Sequence, residues 1–143
     1  MDRIKVLLPE QFIFSAFLTI RITDINYGGH VGNDAILSLV HEARQQFLLQ
    51  FGYSEMNFAG SSLIMADTAI EYKHELYHRD EIKISVAAAG FDKIGFDLFY
   101  LMEVKKEDKW IVAGKIKTGM ICFDYVSKKK ISVPQEAIER ITK

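Results

Sequence analysis

Eleven consecutive residues, Asp24-Ile25-Asn26-Tyr27-Gly28-Gly29-His30-Val31-Gly32-Asn33-Asp34, put two carboxylates, two amides, an imidazole and three glycines side by side. An apolar segment precedes them and a helical pattern follows. A turn that feeds a helix N-terminus gathers unpaired backbone N–H groups at the positive end of the helix dipole. Such a place can hold a carbonyl oxygen, a developing oxyanion or a phosphate. His30 is the candidate general base, because imidazole titrates near working pH, and it can equally bond the loop backbone. Asn26 can orient water or donate to a carbonyl but cannot usefully accept a proton, and it also suits a turn. Asp24 can orient His30 or serve as base, or pair with Arg21 and cap the turn. Asn33 is expected to cap the helix, and its backbone N–H points where an oxyanion would sit. Gly28, Gly29 and Gly32 fit a need for unusual backbone angles and close approach.

The flanking pattern says what positions this turn. Residues 11–23 have strand composition, with Leu18, Ile20 and Ile22 alternating against Phe17, Thr19, Arg21 and Thr23. Ile36, Leu39, Val40, Ala43 and Phe47 recur at the spacing of one helical face. The pattern predicts a helix starting near Asn33 or Asp34, with Gly52 past its end, roughly 17 residues and about 25 Å long. Strand patterns follow over 63–73, 81–89, 93–104 and 110–125, with Gly114 and Gly119 as candidate bulges. Residues 89–92 and 105–108 read as hairpin turns, and Pro134 opens a short amphipathic helix. One strand, one long helix and four consecutive strands predict an α+β layer: an antiparallel sheet of about five strands with the helix on one face. The 143 residues read as one domain over 1–143.

Composition excludes several classes. Hydrophobic content of 49% and charge of 26% are globular, which argues against disorder. A net charge of −1 gives no basis for nucleic-acid binding. The basic run Lys128-Lys129-Lys130 reads as a solvated turn. Cys122, the single cysteine, rules out an intrachain disulfide framework and sits in an apolar run as a small buried hydrophobe. The apolar stretch from Phe12 to Ile20 ends at Arg21 and is too short to span a bilayer. No membrane partner is expected, and a soluble cytoplasmic chain is. His74 and His78 show no metal-ligand spacing, so neither a metal nor another cofactor is predicted.

Arg21, Asp24, Asn26, Gly29-His30-Val31, Asn33 and Glu42-Ala43-Arg44 resemble the hotdog-fold acyl-CoA thioesterases of the 4-hydroxybenzoyl-CoA thioesterase type. Glu71-Tyr72-Lys73-His74 through Arg79-Asp80-Glu81-Ile82 resembles that family's third strand, turn and next strand entry. The resemblance implies a bent antiparallel sheet wrapped around a long central helix, with a short C-terminal helix. It implies a homodimer or homotetramer, active sites at the subunit interface, and an acyl-CoA thioester carbonyl near the N-terminus of the central helix. Gly29, Gly32 and Asn33 would border the thioester. The chain departs from the pattern at Asn26, where much of the family carries the catalytic acid, and has His41 where Glu is frequent. Glu42, on the helix flank, is the candidate replacement carboxylate. Lys93 could touch a coenzyme A phosphate. Met65, with Tyr53, Phe58, Leu63 and Ile64, could line an acyl pocket. The implied activity is hydrolysis of acyl-CoA to a free acid and coenzyme A. Alternatives on the same fold are a non-catalytic binder of acyl-CoA or acyl carrier, favoured by Asn26, and an enoyl-CoA hydratase.

Overall fold

The apolar alternation and the helical stripe become six strands and two α-helices in the computed structural model, which covers residues 1–143. They are β1 (Phe14–Thr19), α1 (Ala35–Leu49), β2 (Ser62–Tyr72), β3 (Glu81–Ala89), β4 (Gly95–Lys106), β5 (Lys109–Asp124), β6 (Lys129–Lys130) and α2 (Gln135–Ile141). All pairings are antiparallel and the order across the sheet is β1-β3-β4-β5-β2, with β6 on β5. Ile84 and Val86, Leu98 and Tyr100, and Ile116 and Met120 are the inward residues of β3, β4 and β5. They share one core with Leu39, Val40, Ala43 and Phe47 of α1. Phe47 meets Phe14 and Phe51 edge-on at 5.8 and 5.2 Å. Burying one such ring stabilises by about 1.5–3 kcal/mol. The result is a bent antiparallel sheet around one central helix, the hotdog arrangement. Register shifts at Met65/Asp67, beside Gly119, and at Met102/Glu103, beside Gly114, put irregularities where the glycines suggested them.

Local details differ from expectation for identifiable reasons. The strand read over 11–23 is shorter: β1 stops at Thr19, and Ile22–Asp24 form a 3-10 turn. Asp24 causes this, because its carboxylate accepts the Arg21 N–H at 2.8 Å while its own N–H donates to the Arg21 carbonyl at 3.0 Å. The helix has 15 residues rather than about 17, and Asn33 does not cap it. Asp34 holds the N-cap position but makes no side-chain cap bond, because its backbone is already helical (φ −72°, ψ −33°). Gly52 takes the left-handed conformation past the helix end (φ 79°), as its position predicted. The fourth strand starts at Gly95 rather than Lys93, since Asp92 Oδ1 accepts the N–H groups of Ile94 and Gly95 and holds them in a turn. Lys129 and Lys130 remain exposed, but pair with β5 instead of forming a free turn. No helix is long and apolar enough to cross a membrane.

Candidate active site

The glycine-rich turn is closed by its own backbone. Asn26 N–H donates to the His30 carbonyl at 2.9 Å, and Gly29 N–H to the Asn26 carbonyl at 3.1 Å. Gly29 has φ 88°, a conformation costly to a residue with a Cβ. A bridge between Ile25 and Val31 narrows the neck, and Gly32 N–H reaches the Asp24 carbonyl at 3.3 Å. The side chains join in. Asn26 Oδ1 accepts the Gly28 N–H at 2.8 Å, and the buried Asp24 faces Arg21 Nη2 at 3.5 Å. Asp24 thus sits in the turn-holding role that its chemistry allowed.

Val31 N–H crosses to the carbonyl of Leu76 at 2.8 Å, which docks the β2–β3 connection against the turn. Leu76 is almost wholly buried beneath it. Further anchors are Ile20 N–H to the Asp80 carbonyl and Arg79 N–H to the Ile20 carbonyl, both 2.9 Å. Between the two segments lies a cleft of about 290 Å³ whose lining includes His30, Asn33, Ile36, Tyr72, His74 and Glu75. The first turn of α1 opens on it. Ala35 N–H is taken by the Gly32 carbonyl, whereas the N–H groups of Asn33 and Asp34 reach no backbone carbonyl. Tyr72 Oη donates to the Asn33 carbonyl at 3.4 Å across the mouth.

The His30 ring is one-third exposed. Its Nδ1 lies 3.2 Å from the Val31 carbonyl oxygen. A carbonyl can only accept, so this contact assigns the proton to Nδ1 and leaves the Nε2 lone pair free in neutral imidazole. Nε2 lies 3.8 Å from Glu75 Oε1. Tyr77 Oη donates to Glu75 Oε2 at 2.7 Å, and this bond with the carboxylate charge holds the Tyr77 phenol above its ordinary range. Glu75 escaped sequence reasoning, and His74 was weighed there only as a metal ligand and as part of the strand match. An acid and an imidazole in a polar loop look like solvated residues until Leu76 is known to dock.

Other candidates stand elsewhere in the chain. Glu42 is exposed, accepts from Gln46 Nε2 at 2.7 Å, and lines a separate groove of about 590 Å³ with Phe17, Thr19, Arg21 and His41. Lys93 lies in the β3–β4 connection, at the opposite end of the sheet from Glu81, where β1 ends beside β3. Met65 is 42% exposed on β2, about 23 Å along the strand from Tyr72. Tyr53, Phe58 and Leu63 are core residues, with Phe58 stacked on Phe96 at 5.5 Å. No three His, Cys, Asp or Glu side chains converge in metal-ligand geometry.

Cys122 is buried, which pushes its thiol up, with only a Ser61 hydrogen bond opposing. The native protein is therefore expected to give almost no rapid reaction with a disulfide reagent at pH 7.5, and one equivalent after denaturation. Rapid labelling of the folded chain would contradict that burial.

The sequence profile of the Thioesterase-like superfamily matches residues 20–141. A 1,4-dihydroxy-2-naphthoyl-CoA hydrolase from Microcystis aeruginosa is 27% identical over 119 residues, covering 81% of this chain and 83% of that protein. Among solved structures, a 4-hydroxybenzoyl-CoA thioesterase variant complexed with 4-hydroxybenzoyl-CoA superposes with a TM-score of 0.81 at 11% identity, covering 90% of this chain and 98% of that one. A 1,4-dihydroxy-2-naphthoyl-CoA thioesterase from Synechocystis gives 0.78 at 18% identity, with 90% and 94% covered. The glycine turn, α1 and strands β2 to β5 all fall inside the matched residues, and the chain belongs to the Thioesterase-like superfamily.

Proposed function

We infer that this chain is an acyl-CoA thioesterase, hydrolysing a thioester to a free acid and coenzyme A. One observation carries the reading: His30 and the first turn of α1 line the same cleft in a chain of this superfamily. The thioester oxygen would accept from the first-turn N–H groups, which stabilise the negative charge that develops there. His30 would take a proton from the attacking water. Water is the only co-reactant such hydrolysis needs, so a chelator is expected to leave the rate unchanged.

A cleft of about 290 Å³ accommodates a reacting thioester end rather than a whole acyl chain and nucleotide. That supports a homodimer or homotetramer in which a second subunit completes the site. Strand β2 suits this, because its eleven residues end the sheet order and leave one edge unpaired. Glu42, Met65 and Lys93 stand apart from this cleft and would join a site only across such an interface.

The test is thiol release from a panel of short, long and aromatic acyl-CoAs, with 1,4-dihydroxy-2-naphthoyl-CoA and 4-hydroxybenzoyl-CoA included because relatives carry those names. Turnover well above buffer is expected for at least one. Silence across the panel, with acyl-CoA raising the melting temperature, would favour a non-catalytic acyl-CoA binder. The specific support for that second reading is that Asn26 Oδ1 and the Asp24 carboxylate are both engaged in holding the turn.

A further inference from the structure

We propose that Glu75 is a positioning residue for hydrolysis: it stands beside His30 Nε2, acts through that ring, and stabilises the imidazolium formed when that nitrogen takes a proton. The proposal rests on the thioesterase reading. It supplies the carboxylate that Asn26 cannot.

The arrangement is built rather than accidental. His30 is pinned through Nδ1 to the Val31 carbonyl, which directs Nε2 outward, 3.8 Å from Glu75 Oε1. Glu75 is pinned at its other oxygen by Tyr77 Oη at 2.7 Å. Tyr77 is held in turn: its N–H donates to Asp80 Oδ2 at 2.9 Å, and Lys106 Nζ lies 5.7 Å from its ring centroid. Leu76, between them, is buried and bonded to Val31. Three other carboxylates have partners or face elsewhere. Asp24 is bound to Arg21, Glu42 opens on another groove, and Glu71 pairs with Lys73 at 2.9 Å. His30 is the ion-pairing partner that remains for Glu75.

The chemistry balances. Water gives one proton to His30 Nε2 as its oxygen bonds the thioester carbon, and the C=O π pair moves onto oxygen. That pair then returns, the C–S bond breaks, and the proton on Nε2 passes to the thiolate sulfur. Acid and thiol leave, His30 is neutral again, and Glu75 stays ionised throughout.

The experiment measures kcat and KM for wild type, Glu75→Gln, Glu75→Asp, Tyr77→Phe, His30→Ala and the double variant His30→Ala/Glu75→Gln, on the best acyl-CoA of the panel. Glu75 is 60% exposed, so the fold should tolerate these changes, and a thermal melt checks it. Glu75→Gln is expected to lower kcat by about 10- to 30-fold with KM changed less than about 3-fold. Glu75→Asp should recover part of the loss, and Tyr77→Phe should cost about 2- to 5-fold. In the His30→Ala background Glu75→Gln should add almost nothing, since it acts through the missing ring. An active Glu75→Gln enzyme, a loss confined to KM, or an undiminished loss in the His30→Ala background overturns the proposal while the thioesterase reading survives. A wild type silent on every acyl-CoA overturns that reading, and this proposal with it.

Discussion

Replacing His30 by alanine is expected to cut kcat for thioester hydrolysis by about 10²- to 10⁴-fold, the usual contribution of a placed general base. The ring has no other assignment of similar weight. It is one-third exposed, so the core does not need it, and the turn is held by the His30 backbone rather than by the imidazole. The bonds from Asn26 N–H to the His30 carbonyl and from Val31 N–H to Leu76 survive the substitution. Stability should therefore change by no more than about 0.5 kcal/mol, as at ordinary surface positions. Steady-state kinetics beside a thermal melt separate the two effects. A folded His30→Ala enzyme with near-native kcat would remove His30 from the mechanism and pass the base role to another group. The first-turn amides should leave a residual rate above buffer even in this variant, because oxyanion stabilisation is independent of the base.

Arg44 marks the other large effect, on stability. It is only 4% exposed, which is unusual for a guanidinium, and it donates to two partners. Nε donates to Glu55 Oε1 at 2.9 Å and Nη1 to Tyr100 Oη at 3.3 Å, while Tyr100 Oη and Thr118 Oγ1 are 2.8 Å apart inside the core. Burial opposes the Arg44 charge, but Tyr100 and Glu55 outweigh it and hold the group more firmly protonated than usual. Burial also pushes the Tyr100 phenol up. A phenol raised on folding contributes stability that is complete below its unfolded value of about 10 and is lost as pH climbs through the higher folded value. The Arg44–Tyr100 contact should thus persist undiminished through neutral pH and weaken in alkali.

Arg44→Met is expected to lower the unfolding free energy by about 3 kcal/mol, because it removes the buried donor that Glu55 and Tyr100 share. That is the low end for breaking a buried pair, since Glu55 keeps His41 Nε2 at 3.1 Å and reaches water. Arg44→Lys should recover little, as one ammonium cannot serve both partners in the fork geometry. Urea titration at constant slope measures the change, and a loss under about 0.5 kcal/mol would show the network to be dispensable. The Glu-Ala-Arg segment of the family resemblance therefore reads as framework at its arginine.

Much of this protein was legible from residue order alone. Period-two alternation over 81–89 and 93–104 and the stripe Ile36-Leu39-Val40-Ala43-Phe47 encode sheet and helix, because each depends on neighbours a few positions away. The glycine turn was equally legible, since a backbone angle such as that of Gly29 is a local demand. Where β1 would end was harder to read, because Asp24 competes for the backbone through a side chain that could have pointed elsewhere.

The ionic partners were out of reach of the sequence. Glu55 could have been any solvated loop acid, and only the docking of its loop brings it to Arg44 and His41. Glu75 is far from His30 along the chain, and the two meet because β1 pairs with β3 and Leu76 buries against the turn. Local order thus determined which elements form and where a carbonyl oxygen could be held. The tertiary structure alone decided which acid stands beside the imidazole, because such contacts depend on strand register and loop docking, which no local periodicity encodes.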